Sequence, residues 1–132
     1  MAVIEPATTP APVASADMTL EEIARSFSSH RFEATYPYLA DGIVWDNIGG
    51  QQLSSKAEVV ETCNQSSQYL AKVTTRFLRF RVVAGEATVV IDSLAEYVDE
   101  QREKMTVASC DLYDFADGLL VGIMSYTIEV NS

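Results

Sequence analysis

The spacing of apolar residues changes once along the chain. From Leu20 to Val73 they recur at helical intervals, and from Arg76 onward they alternate with polar ones. Leu20, Ile23, Ala24 and Phe27 predict one amphipathic helix. Thr19 precedes it, and Glu22 stands three residues later to complete a capping box. A second, short helical piece is expected around Thr35 to Leu39, with Pro37 tolerated in its first turn and Asp41-Gly42 ending it. Ile43-Val44-Trp45 reads as a short strand, broken by Gly49-Gly50. Ser55 opens a longer helix, with Glu58 as a second capping-box partner. Its stripe is Val59, Val60, Cys63, Ser67, Leu70 and Val73.

The alternating half predicts four strands over 75–83, 87–98, 105–115 and 119–130. Ala84 to Ala87, Asp99 to Glu103 and Ala116-Asp117-Gly118 supply the connections. Helices followed by an antiparallel meander make an α+β layer fold. Alternation sorts the side chains onto two faces. The inner face takes Leu78, Phe80, Ile91, Ser93, Asp111, Tyr113, Phe115 and Ser125. The outer face takes Arg79 opposite Asp92, and an apolar end of Cys110, Leu112, Met124, Tyr126 and Ile128. If the helices cover the inner face, that apolar end is exposed in a monomer, which predicts a homodimer through the sheet.

Composition narrows the classes. The chain has 132 residues and a net charge of −10, with 48% hydrophobic residues. One domain with a real core is expected, over residues 18–132. Residues 1–17 hold three of the four prolines and no base, and read as a flexible tail. The acidity argues against nucleic acid and against an anionic membrane as partners. Two cysteines outside any CxxC pattern read as reduced thiols. No apolar run has the length of a membrane span, and no secretory signal is present, so a cytoplasmic protein is expected.

Few residues are candidates for chemistry. Asp111 lies on the inner face between Cys110 and Leu112. A carboxylate aimed into an apolar cavity is disfavoured in its charged form, so it can act as a hydrogen-bond donor or as a base. It can equally be a structural aspartate bonded to Ser93, Ser109 or Ser125. Trp45 reads as core or as a ligand platform, and Asn47 as a turn former or a cavity residue. His30 reads as an exposed loop histidine. No phosphate-binding loop, dinucleotide fingerprint, zinc-peptidase motif or nucleophile elbow is present.

Two segments resemble the nuclear transport factor 2-like superfamily, in its SnoaL-like and ketosteroid isomerase-like branch. They are Leu39-Ala40-Asp41-Gly42-Ile43-Val44-Trp45-Asp46-Asn47-Ile48-Gly49 and Asp111-Leu112-Tyr113-Asp114-Phe115-Ala116-Asp117-Gly118. The resemblance implies a cone: a curved antiparallel sheet with three helices closing a pocket. It implies Asp46 as a general base and Asp111 as a hydrogen-bond donor to the enolate oxygen. Trp45, Asn47, Phe80, Ile91, Ser93, Tyr113, Phe115 and Ser125 would bind the ligand. The helix-one tyrosine of the isomerases has no counterpart here, and the proline after the base is Asn47. The expected function is aspartate-mediated proton transfer on a small hydrophobic carbonyl compound, without metal or organic cofactor. The alternative is a non-catalytic ligand-binding or dimeric protein-interaction module of the same fold.

Overall fold

The computed structural model describes residues 17–130. Helix α1 spans Leu20–Ser28, and a 3-10 helix follows over Phe32–Tyr38. Strand β1 is Leu39–Asn47 and β2 is Gln52–Leu53. Helix α2 is Lys56–Leu70. Four long strands complete the chain: β3 (Thr74–Ala84), β4 (Thr88–Val98), β5 (Lys104–Ala116) and β6 (Leu119–Val130). They form one curved sheet in the order β2-β1-β6-β5-β4-β3. The α+β expectation holds, with one refinement. The sheet is mixed, because β1 runs parallel to β6 while the other pairs are antiparallel.

Local chemistry sets the element ends. Thr19 and Glu22 form the reciprocal capping box, with the Thr19 amide donating to Glu22 Oε1 at 2.8 Å. At α2 the Ser55 hydroxyl accepts from the Glu58 amide. The Glu58 carboxylate, however, accepts from Ser54 rather than from Ser55, so this cap is not reciprocal. In the β5–β6 turn Asp117 and Gly118 both have positive φ, 54° and 79°. That is the twist a two-residue hairpin needs.

The core lies between the helices and the inner face of the sheet. Ile23, Ala24 and Phe27 of α1 and Val59 and Cys63 of α2 meet Ile91, Tyr113 and Leu120. Only Val59 and Cys63 of the predicted α2 stripe are fully buried, and Ser67 is exposed. The later turns of α2 therefore roof a cavity instead of sinking into the core.

A β-bulge changes the expected register of β3. Phe77 opposes Ala95 and Phe80 opposes Ser93, so Leu78 leaves the ladder and is exposed. One extra residue resets the alternation, and Phe77 takes the inner-face place expected of Leu78. On the turn side of the bulge the strands pair up to Ala84–Val89, which puts Arg81, not Arg79, opposite Asp92, and both guanidiniums bond that carboxylate. No described helix is long and apolar enough to cross a membrane. The expected tail falls outside the described residues, apart from Asp17.

Candidate active site

A cavity of about 540 Å³ opens between the inner face of the sheet, the end of α1 and the later turns of α2. The strand register builds its floor. Asn47, Ser125, Asp111 and Ile91 are successive partners across β1, β6, β5 and β4. The next rung holds Trp45, Ile123, Tyr113 and Val89. Partners across a sheet project to the same face, so Asp111 is delivered to the cavity between Ser125 on one side and the buried Ile91 on the other.

Two hydroxyl relays converge on Asp111. Ser28 Oγ, at the end of α1, donates to Asp111 Oδ2 at 2.9 Å. Its single proton is then committed, so the hydrogen bond between Ser28 and the fully buried Tyr113 has the tyrosine as donor. On the other side Trp45 Nε1 donates to Ser125 Oγ at 3.0 Å, and Ser125 bonds the carboxylate in turn. Burial pushes the Asp111 carboxyl above the usual carboxylate range. The Ser125 and Ser28 hydroxyls, with the Tyr113 hydroxyl close by, pull partly the other way. Among the described residues no Lys or Arg pairs with it.

Farther along β4 the wall is aromatic. His30 follows α1 with φ at 73°, and its ring lies 5.7 Å from Phe32 and from Phe77. His30 Nε2 and Tyr97 Oη are 2.9 Å apart, and both residues line the cavity. The exposed loop histidine expected from the sequence is therefore a half-buried wall residue. Burial lowers its pKa, which favours the neutral ring. Burial first, and then the charges of Tyr69 and Asp111, raise the Tyr97 phenol.

The structure gathers Trp45, Asn47, Ser93, Asp111 and Ser125 from the expected set. It does not gather Asp46. Trp45 and Asn47 face the cavity, so the residue between them projects from the other side of β1. There Asp46 is level with Met124 of the outer face. Phe80, Ile91, Tyr113 and Phe115 are not in the wall. They pack as core or core edge, and Phe80 stacks edge-on against Phe77. Ser28, His30 and Tyr97 were missed. Among the described residues no three His, Cys, Asp or Glu side chains converge as for a metal ion.

No family model and no curated protein matches the sequence. Solved structures do. An NTF2-like protein of unknown function from Cytophaga hutchinsonii is 32% identical, with a TM-score of 0.72, covering 80% of this chain and 93% of its own. An LEH-like epoxide hydrolase from M. tuberculosis is 15% identical, with a TM-score of 0.59, over 79% of this chain and 75% of its own. A candidate polyketide cyclase from Xanthomonas campestris is also 15% identical, with a TM-score of 0.63, over 79% and 83%.

Proposed function

The chain belongs to the nuclear transport factor 2-like family, and from that premise we propose that it is a small-molecule enzyme using Asp111 for proton transfer on a largely apolar carbonyl compound. The observation that carries the reading is the placement of Asp111. It is the one carboxylate among the described residues lining the cavity, with no cation to neutralise it. A desolvated carboxylate is a stronger base than one in water. It takes a proton from the carbon beside the carbonyl, and the C–H electron pair moves toward the carbonyl oxygen as an enolate. The resulting carboxylic acid returns the proton to another atom of the same molecule, so no external reductant or oxidant is required. One aspartate thus serves both halves of the transfer, and Asp46 has no part in it.

The open cavity favours this over a protein-interaction module with a solid interior. Phe80 and Tyr113, which would fill such an interior, stand outside the cavity wall. The names of the cyclase and the epoxide hydrolase among the similar structures point the same way. Trp45 is the only tryptophan of the chain and lines the cavity, so its fluorescence reports occupancy. Titration with uncharged cyclic and aryl ketones, 2-tetralone among them, is expected to give saturable quenching. A flat response across the panel would overturn the reading.

We further propose that the outer face pairs two copies of the chain. Met124, Tyr126 and Ile128 are 38%, 46% and 64% exposed there, beside Cys110 and Leu112. Sedimentation should show a dimer that Ile128→Glu weakens. A monodisperse monomer at micromolar concentration would refute the pairing.

A further inference from the structure

We propose that Tyr97, held in place by His30, is the ligand-facing hydrogen-bond donor of the cavity, and that the cavity therefore takes an uncharged compound with an acceptor oxygen against the β4 wall. This rests on the reading of the cavity as a small-molecule site. It concerns the β4 end of the wall around Tyr97, which the proton transfer leaves without a role.

A neutral imidazole carries one N–H, and a phenol both donates and accepts. Among the described residues, Tyr97 is the one hydrogen-bond partner of the His30 ring, through Nε2, and Nδ1 meets none. Two arrangements are possible. If Tyr97 donates into Nε2, the ring proton sits on Nδ1, as a half-buried donor with no acceptor. If Nε2–H donates into Tyr97 Oη, only a lone pair is left over on Nδ1. Unpaired buried donors are rarer than unpaired acceptors, so the second arrangement is favoured. The Tyr97 proton is then unclaimed, since no other acceptor bonds it among the described residues. Tyr97 lines the cavity, so that proton is available to a ligand there.

The surroundings hold this arrangement in place. His30 is pinned behind Tyr97 by its amide bond to the Phe27 carbonyl and by ring contacts with Phe32 and Phe77. The ligand's charge is also constrained. The titratable groups of the wall are His30, Tyr69, Tyr97 and Asp111, and none offers a fixed positive charge. An anionic ligand would meet Asp111 with nothing to offset it, whereas a ketone or ester oxygen suits a neutral phenol donor. Tyr97 is thus assigned to touch the ligand, and His30 is a positioning residue.

His30 is the only histidine of the chain, so its ¹⁵N resonances need no assignment. The expected neutral tautomer carries its proton on Nε2. A neutral ring protonated on Nδ1, with Nε2 as acceptor, would overturn the proposal. The second arm measures binding of 2-tetralone and of tetralin, the same skeleton without the oxygen, by Trp45 fluorescence. Tyr97→Phe and His30→Phe are each expected to weaken 2-tetralone by about three- to tenfold and to leave tetralin unchanged. His30→Gln, which keeps an N–H donor, should retain most of the ketone preference. Equal weakening of both compounds would mean a merely structural role and would overturn the proposal. So would unchanged 2-tetralone binding in Tyr97→Phe, and in that case the cavity reading stands. Failure of both compounds to bind the unsubstituted protein would overturn the cavity reading itself, and the proposal with it.

Discussion

Replacing Ser28 with alanine tests the relay that holds Asp111. Ser28 Oγ donates to the carboxylate at 2.9 Å and accepts from Tyr113, whose side chain is fully buried. Loss of a hydrogen bond to a charged group costs about 1.5–3 kcal/mol, and stranding a buried hydroxyl costs about 1–3 kcal/mol. The Tyr113 hydroxyl also reaches Asp111, so part of the second loss is recovered. The net destabilisation at neutral pH should be about 2–3 kcal/mol, or a Tm lower by roughly 6–15 °C. Tyr113→Phe alone should cost about 1 kcal/mol. In the double variant no hydroxyl is stranded, so it should be more stable than additivity predicts by about 1 kcal/mol. The pH dependence has a definite sign. Ser28 favours the ionised carboxylate, so its contribution is present above the folded pKa of Asp111 and fades as pH falls through it. Urea unfolding followed by circular dichroism at neutral and acidic pH measures all four proteins. Additive effects that do not change with pH would refute the relay.

Other expectations follow from the same geometry. Burial raises the folded Asp111 pKa above its unfolded value, so between the two the folded protein holds the extra proton. Its contribution to stability is full below the unfolded pKa and is lost as pH rises through the folded one. The stability of the unsubstituted protein minus that of Asp111→Asn should therefore fall across that window, and a flat difference would contradict the assignment. The NMR titration midpoint of His30 should lie below 6.5, because burial disfavours the imidazolium. Cys63 is fully buried and its thiol is pushed up to about 12. It should react with a thiol reagent only as fast as the protein unfolds, and rapid modification of the native protein would show that the α2 core is open.

Much of the fold was legible because period and punctuation agree in the second half. The four long strands begin and end within about a residue of expectation, where Gly85, Asp99 and Asp117-Gly118 interrupt a two-residue alternation. The site was less legible, for two separate reasons. At β1 the resemblance put the base on Asp46, but the alternation Ile43, Trp45, Asn47 already sends Asp46 to the other face. A one-residue difference of parity decides whether a carboxylate meets ligand or solvent. The second reason is distance along the chain. His30 and Tyr97 are 67 positions apart, and Ser28 and Asp111 are 83 apart. The curvature of the sheet and the landing of α1 bring these pairs together, and neither leaves a local pattern. His30 offered one faint signal, its position just past the end of α1, where the chain turns through the left-handed region.

Asp111 is proposed to remove a proton from the carbon beside a bound carbonyl, and once its acid proton has exchanged with solvent the proton it returns to the molecule is a solvent one. The direct measurement is deuterium incorporation from D₂O at the carbons flanking the ketone of 2-tetralone, followed by NMR. The unsubstituted protein should accelerate exchange above the buffer rate, Asp46→Asn should match it, and Asp111→Asn should return it to the buffer rate. Undiminished exchange in Asp111→Asn, or no acceleration by a protein that binds the ketone, would contradict the account.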